Sequence, residues 1–480
     1  MTAVAGATTE PASAGRRAPF GDWWGTVWFA LGTFAGAHLL SDNSFLTHLA
    51  TGRLILQSGV PHADPYSFTI PGKAWVVQSW LFSIIDASLE RWVGDWAIRL
   101  FLGLVVGCLL ATLWRLSRPA KTLLGRVAIT ALVGAIGLGY WNERPQTLAF
   151  LLLALALVVV LEEHNPLWLI PIFAVWIDVH GSWPLGLVVV GLVALHQVMG
   201  RRRLDHRAWD VCAAAALGSL LGAAVSPFGI DLLTFTVKLL GHSDVLKYII
   251  EWRRPALGDP ATLVFIAEVL VVAWAMYRAR AWSWSPLAVV MVVLAATSRR
   301  NIPVASIALL PVMAPLFAGV GTIAVGSPVA RRRALTVALV MTVAIGAVVA
   351  ATPNDYDLGP FPVAAVTWMQ ARHLVATPDV NVVAPDYAGN YLEWRYGPRA
   401  RVFIDDRAEL FTAQIVGDYA EGLLAGKRSW QTILNRYNSN IVLWPSNRLL
   451  ARELAKSTDW RIIHTAGGWV VGCRVASDLC

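Results

Sequence analysis

Residues 147–162 read TLAFLLLALALVVVLE and contain a single charged side chain, at their end. A helix that is apolar on every side has to be surrounded by lipid or by other apolar helices. About 20 such residues cross the roughly 30 Å hydrocarbon core of a bilayer. Ten further runs of this kind predict a polytopic α-helical membrane protein with about eleven transmembrane helices. The other runs lie near residues 24–41, 96–114, 126–141, 167–180, 184–199, 209–226, 261–277, 284–298, 302–322 and 334–352.

The composition of the 480-residue chain agrees with this fold class. Hydrophobic residues make up 56% and charged residues 15%, against about a quarter charged in soluble domains. These values exclude a disordered chain and a single soluble domain. A transmembrane β-barrel would show strands of alternating polarity, and that pattern is missing. The net charge of +8 comes without a basic stripe interleaved with aromatic residues, so we do not expect a nucleic-acid partner.

Basic residues are unevenly distributed over the segments that join the apolar runs. With a cytoplasmic N-terminus, the inner segments hold fifteen Lys and Arg residues and the short outer loops hold three. Cytoplasmic loops carry the excess of basic residues in membrane proteins. We therefore predict a multi-pass cell-membrane protein whose C-terminus is extracytoplasmic. The inner set is Arg16, Arg17, Arg115, Arg118, Lys121, Arg126, Arg201, Arg202, Arg203, Arg207, Arg278, Arg280, Arg331, Arg332 and Arg333, and the outer set is Arg144, Arg299 and Arg300.

The chain divides into three parts by composition. Residues 1–22 predict a disordered cytoplasmic tail, and residues 23–353 the transmembrane module. Within that module, residues 42–95 form an outer loop. Its amphipathic stretch 79–93 is interpreted as a helix at the membrane surface, the alternative being a twelfth span. Residues 354–480 predict a small extracytoplasmic α/β domain, with strands at 381–385, 401–404, 440–444 and 468–475 and helices at 362–374, 413–424, 429–437 and 447–456.

Ionisable side chains gather at the outer ends of the apolar runs, where they are costly to place. A carboxylate at the border of water and lipid can deprotonate an acceptor hydroxyl within hydrogen-bond reach. Arginines at the same depth can hold a phosphate leaving group through bidentate hydrogen bonds. The candidates are Asp42 and Asp64 for catalysis, Arg144, Arg299 and Arg300 for the donor phosphate, and His48, His62, Glu143 and His180 in support.

Each candidate also has a structural interpretation. Asp42 can cap a helix that begins at Asn43 or Ser44, which is compatible with catalysis, and Asp64 can order its loop through Tyr66 and Ser67. The three arginines can extend to the membrane surface, and His180 can be hydrogen-bonded across helices. Asp405-Asp406-Arg407 follows a strand end, and we expect a solvated turn there, the alternative being a carboxylate pair that touches a ligand.

No specific catalytic or metal motif occurs. The positions of His48, His62 and Asp64 match no zinc pattern. A P-loop, a GxGxxG after a strand, a GxSxG elbow and an HExxH are all missing from the sequence, which argues against ATPase, dinucleotide-binding, serine-hydrolase and zincin activities. We therefore expect no firm cofactor and leave a divalent metal open.

The outer segments resemble a known family in their order along the chain. The first outer loop contains SDNSFLTHLATGR at 41–53 and GVPHADPYSFT at 59–69. These stretches resemble bacterial GT-C glycosyltransferases, most closely the branch related to protein mannosyltransferases and lipid A aminoarabinose transferases. Shorter matching pieces are RPQ at 144–146, VHG at 179–181, SPFG at 226–229, RRNIP at 299–303, YAGNYL at 387–392 and VFIDDR at 402–407.

The resemblance implies a sugar donor linked to polyprenyl phosphate, a glycan, lipid or protein acceptor, and inversion at the anomeric carbon. It also implies a basic carboxylate in the first outer loop, a position that Asp42 matches. Many relatives carry a second acidic residue next to it, where this chain has Asn43.

Two other functions compete with glycosyl transfer from such a donor. A transferase similar to O-antigen ligases would use Arg and His at the outer face and would not need Asp42. A non-catalytic scaffold or polyprenyl-lipid transporter is the other alternative. A transporter should show broken helices in two related halves, and the sequence contains no such repeat.

Overall fold

The computed structural model describes residues 23–201, 206–319 and 331–479. The predicted tail 1–22 therefore lies outside the described residues. The described chain is mostly helical, and each of the eleven predicted apolar runs contains a helix. The helices before residue 353 are α1 Trp23–Gly36, α2 Asn43–Ser58, α3 Trp80–Trp92, α4 Asp95–Leu116, α5 Leu123–Gly137, α6 Pro145–Leu161, α7 Leu169–Val179, α8 Trp183–Arg201, α9 His206–Val225, α10 Ile230–Gly241, α11 Ser243–Leu246, α12 Pro260–Ala279, α13 Ser285–Thr297, α14 Ile302–Met313 and α15 Arg331–Ala350.

Within the described ranges, six helical segments are long and apolar enough to cross a membrane. Four further apolar helices are shorter, so the predicted number of eleven spans stays a prediction. The six segments are Asp95–Ala120, Trp183–Arg201, His206–Val225, Pro260–Ala279, Arg299–Ala318 and Arg332–Ala350, and the shorter ones are Leu123–Gly137, Pro145–Leu161, Pro166–Val179 and Trp282–Thr297.

Glycines allow α1 and α4 to pack with their backbones in contact. Gly32 and Gly36 on α1 face Gly103 and Gly107 on α4, so both helices present glycines four residues apart. A Cβ atom on Gly32 would lie only 2.7 Å from the Cα of Gly107. Small residues at this spacing are typical of helix pairs that associate in membranes.

The first large loop, residues 42–95, folds into the helix pair α2 and α3. Gly52 on α2 lies directly against the backbone of Ser83 on α3. The pair is joined further by Arg53, whose Nε donates to Glu90 at 2.6 Å. Helix α3 coincides with the amphipathic stretch predicted at 79–93. Its placement relative to a membrane stays a prediction.

The C-terminal part is a small α/β domain with a four-stranded sheet in the order β1-β2-β4-β3. Strands β1 and β2 are parallel, and the other pairs are antiparallel. The predicted alternation of strands and helices is broadly confirmed. The elements are α16 Val363–Gln370, β1 Val382–Val383, α17 Asp386–Tyr396, α18 Ala413–Gly417, a π-helical turn Asp418–Leu424, α19 Trp430–Arg436, β2 Ile441–Pro445, α20 Leu449–Leu454, β3 Trp460–Ala466 and β4 Trp469–Arg474.

Three details of this domain differ from the prediction. Helix α17 and strand β3 were not expected, and the strand predicted at 401–404 is not part of the sheet. Instead, Val402 makes isolated bridges to Val382 and to Ser67 of the first loop. The Val402 amide donates to the Tyr66 carbonyl at 3.0 Å. This segment therefore pairs with a loop more than 300 residues away.

Candidate active site

Asp42 begins α2 and forms its N-cap. The carboxylate accepts hydrogen bonds from the backbone amides of Ser44 at 2.9 Å and Phe45 at 3.4 Å, so the predicted cap is confirmed. The same carboxylate accepts from Nε of Arg144, which lies 2.8 Å from both oxygens. Asn142 adds a third contact at 2.9 Å. Local sequence thus fixes the position of Asp42, and a second loop supplies its positive partner.

Arg144 is positioned by the proline that follows it. Pro145 is the first residue of α6, and a residue before proline favours extended backbone. Arg144 accordingly has φ −100° and ψ 154°. Its Nη1 atom also pairs with Glu251. Burial lowers the pKa of Arg144, but the negative charges of Asp42 and Glu251 raise it by more. The pKa of Arg144 is therefore raised overall.

Glu143 accepts hydrogen bonds from the backbone at the start of α2. Its side chain is 1% exposed, and Oε1 accepts the backbone amides of Ser41 and, at 2.6 Å, Asp42. The second oxygen, Oε2, has no hydrogen-bond partner among the described residues and lies 3.8 Å from Nε2 of His38. Glu143 therefore binds the backbone of Asp42. Among the described contacts it does not touch the Asp42 carboxylate.

The adjacent arginines 299 and 300 point to different partners. Arg299 donates to Asp259 at 2.8 Å. Arg300 lies over the ring of Trp252, at 4.6 Å from its centroid, and has no carboxylate partner among the described residues. Arg144 pairs with Glu251 and Arg300 lies over the next residue, Trp252, so both arginines border the same turn, while Arg299 is engaged by Asp259.

His180 and His48 are two further candidates from the sequence, and both rings are neutral. The Nδ1 atom of His180 accepts from the backbone amide of Ser182 at 3.2 Å, so its proton is assigned to Nε2. Ser182 lies in the same loop as His180, so this is not the predicted hydrogen bond across helices. Burial and then Arg300 hold the pKa of His180 well below its usual range. Burial, reinforced by Arg144, lowers the pKa of His48 to about 4.

The C-terminal domain contributes carboxylates that the sequence analysis did not assign to the site. The Ser44 hydroxyl donates to Asp406, which lies near enough to Arg144 and Asp42 for their charges to affect it. Burial raises the pKa of Asp406 to about 7, against the hydrogen bond from Ser44. We call Asp42, Arg144, His180, Arg300 and Asp406 the junction site, because they come from the first loop, three inter-helix loops and the C-terminal domain.

The expectation of a solvated turn at 405–407 is wrong. Asp405 is 2% and Arg407 7% exposed, and Arg407 Nη2 lies 2.6 Å from Asp405 and 2.7 Å from Asp64. The guanidinium also lies over the rings of Tyr66 and Trp75. We call Asp64, Glu393, Asp405 and Arg407 the clamp, since they fasten the first loop to the C-terminal domain. A charged run that looks solvated becomes buried when distant segments supply its partners.

Asp64 belongs to the clamp by its contacts. Its carboxylate accepts from the amides of Ser67 at 2.9 Å and Tyr66 at 3.4 Å, so the predicted ordering of the loop is confirmed. These contacts, together with Arg407, engage both oxygens. The geometry favours this structural role over the catalytic one assigned from the sequence.

The histidines do not gather with Asp64. His62 packs edge-on against Phe228, with 5.1 Å between ring centroids, and His48 lies 3.4 Å from the Ser83 hydroxyl. Among the described residues, no group of three or more His, Cys, Asp or Glu side chains is arranged to hold a metal ion.

The junction site combines a held carboxylate, an arginine without a carboxylate partner and a neutral histidine. A guanidinium can bind a phosphate, and a carboxylate can receive a proton. Compared with known proteins, the chain matches no family model and no curated protein.

Proposed function

We propose that this protein is a membrane glycosyltransferase of the GT-C type. It transfers a sugar from a polyprenyl-phosphate donor to an extracytoplasmic acceptor, with inversion. The observation that carries the proposal is the junction site: Asp42, the carboxylate expected as the base, is held 2.8 Å from Arg144. Arg144 also pairs with Glu251, and Arg300, which has no carboxylate partner among the described residues, lies over the ring of the next residue, Trp252. The N-terminus is cytoplasmic and the junction site lies at the outer face of the cell membrane.

In the proposed reaction, an acceptor hydroxyl attacks the anomeric carbon from the side opposite the phosphate. The bond from this carbon to the phosphate oxygen breaks, and the polyprenyl phosphate leaves with that electron pair. Asp42 takes the hydroxyl proton, while Arg300 and Arg144 stabilise the negative charge on the departing phosphate. The His180 Nε2–H is a further donor at this place.

The test is transfer of labelled sugar from a polyprenyl-phosphate donor by protein held in nanodiscs. Positioned base catalysis contributes about 10²–10⁴-fold, so Asp42→Asn should lower turnover by that order. Asn caps a helix about as well as Asp, which separates catalysis from folding. If the wild type transfers sugar from no donor tried, the proposal fails and a non-catalytic scaffold or transporter takes its place.

One observation favours a second candidate function. Both oxygens of Asp42 already accept hydrogen bonds, from Arg144, Asn142 and two backbone amides. A transferase similar to O-antigen ligases would leave Asp42 in this structural role and rely on Arg300 and His180. Near-normal transfer by Asp42→Asn, with loss of transfer in Arg300→Gln, would favour that mechanism.

A further inference from the structure

A cavity of about 510 Å³ lies between α10, the first loop and the C-terminal domain. This volume falls within the roughly 300–1,000 Å³ that is usual for small-ligand sites. Trp75, Phe228 and Phe235 supply aromatic walls, and Lys238 and Glu409 supply charged groups. We call it the α10 cavity. His62, which the sequence analysis gave a supporting role, also lines this cavity.

Helix α10 has two exposed sides of different chemistry. Ile230, Val237 and Leu240 are 69%, 74% and 57% exposed. At about 100° per residue, these three positions fall within an arc of about 80°. They form an apolar stripe that no described part of the chain covers.

The α10 cavity lies on the other side of the helix. Its lining residues from α10 and the turn after it, Asp231, Phe235, Lys238, Leu239 and His242, fall in a separate arc of about 100°. A helix with an apolar stripe and a charged side lies flat at a membrane surface, stripe inward. With the stripe in lipid, the cavity opens toward water.

Glu409 connects this cavity to the junction site. Glu409 lines the cavity and follows three residues after Asp406, which accepts a hydrogen bond from the Ser44 hydroxyl. In the described ranges it forms no ion pair, although Arg300 likewise lacks a carboxylate partner. The Glu409 carboxylate can therefore accept a hydrogen bond from a ligand in the cavity without first breaking an ion pair.

We infer that the α10 cavity is the acceptor site and takes a carbohydrate with a free hydroxyl. The inference rests on the proposed function. The aromatic side chains provide apolar surface for the C–H face of a sugar ring. Glu409 accepts a hydrogen bond from a ring hydroxyl, and Lys238 donates to another. The hydroxyl that reacts is thereby directed from the water side toward Arg300 and Asp42.

Binding is tested without any donor. Protein in nanodiscs is mixed with methyl glycosides of glucose, mannose, galactose and arabinose, and saturation transfer to each is recorded by NMR. At least one glycoside should bind, and Glu409→Gln should weaken it by roughly 10- to 150-fold, the range expected for a hydrogen bond to a charged group. Glu453→Gln, a carboxylate on α20 paired with Lys456, should bind like the wild type.

Access from water is tested with two neighbouring residues of α10. In nanodiscs, Lys238→Cys should react quickly with a charged methanethiosulfonate reagent, and the bound glycoside should slow this reaction. Val237→Cys, on the apolar stripe, should react slowly although Val237 is 74% exposed. Equal reaction at both positions would show that the cavity side and the stripe share one environment, which overturns the inference.

The outcomes separate this inference from the proposed function. Binding of a glycoside that needs Glu409, with no sugar transfer from any donor, would keep the site and reject the transferase. Transfer with an unchanged acceptor KM in Glu409→Gln, or no saturation transfer to any glycoside, would reject the site.

Discussion

The Nε atom of Arg144 lies 2.8 Å from each carboxylate oxygen of Asp42. The other arm of the guanidinium pairs with Glu251. Arg144 therefore joins the first loop, through Nε, to the segment before α12, through Nη1. In the proposed reaction we expect the donor phosphate to bind Arg300 before Arg144, because Arg300 has no carboxylate to release among the described residues.

Arg300→Gln should weaken binding of a polyprenyl-phosphate donor far more than Arg299→Gln. A hydrogen bond to a charged group contributes about 1.5–3 kcal/mol, which corresponds to a loss of roughly 10- to 150-fold. Arg299 is the matched control, since its guanidinium is held by Asp259 at 2.8 Å. Equilibrium binding of a fluorescent donor analogue in nanodiscs measures both. Equal losses in the two variants would contradict this assignment.

Replacing Asp42 should affect stability and activity differently. Asp42→Ala removes the cap of α2 and should destabilise the protein by about 0.5–2 kcal/mol. Asp42→Asn should retain most of that stability while losing sugar transfer. Thermal unfolding in detergent, recorded beside transfer, separates the two effects. An equal fall in unfolding temperature for both variants would mean that the Arg144 contact, and not the cap, stabilises this region.

Donor binding should weaken as the pH rises through about 7. Burial raises the pKa of Asp406 and of Glu409 to about 7. Both groups are neutral below that pH and anionic above it, where they compete with the phosphate for Arg144 and Arg300. Each contributes at most about tenfold per pH unit. A phosphodiester donor is used because its own charge is constant over this range.

The matched control for this pH dependence is a double variant. Asp406→Asn with Glu409→Gln should bind the same donor with a nearly constant Kd between pH 6 and pH 8, the range around the pKa of about 7. Wild-type binding that strengthens with rising pH would have the opposite sign to the one derived.

The clamp should be sensitive to loss of its only described cation. Arg407→Met leaves Asp64 and Asp405 buried without their partner, and breaking a buried ion pair in this way costs about 3–5 kcal/mol. Asp64→Asn keeps the backbone contacts to Ser67 in part and should cost less. Limited proteolysis of the intact protein measures whether the first loop separates from the C-terminal domain. Resistance equal to wild type in Arg407→Met would show that the apolar contacts hold the domains together alone.

Asp86→Asn should stabilise the protein at neutral pH. Asp86 on α3 is fully buried, and neither oxygen has a hydrogen-bond partner in the part of the chain that the structure describes. Burial, with Glu143 and Glu90 adding to it, raises the pKa of Asp86 well above its usual value. The unfolded chain releases this proton at about pH 4, so stability falls as the pH rises from there to the folded pKa. The asparagine variant lacks this loss.

Thermal unfolding at several pH values checks this prediction. The unfolding temperature of Asp86→Asn should exceed that of the wild type at pH 7 and vary less with pH. Glu90→Gln is the control of opposite sign, because Glu90 is paired with Arg53. A lower unfolding temperature for Asp86→Asn at pH 7 would show that the ionised carboxylate is the stabilising form.

Features that depend on neighbours along the chain could be predicted from the sequence. The apolar run 147–162 forms α6, Asp42 caps α2, and Asp64 orders Tyr66 and Ser67. In each case the interacting groups are within a few residues of one another. Helix periodicity and capping are local properties, so a single sequence is sufficient to predict them.

Only the tertiary structure decided which charged groups meet. Asp42 pairs with Arg144 and not with Arg299, although the outer arginines are alike in the sequence. The turn at 405–407 is buried because Asp64, more than 300 residues earlier, accepts a hydrogen bond from Arg407. A buried charge is stable only when a partner lies within about 4 Å. That distance depends on how separate helices and loops pack, which no local pattern contains.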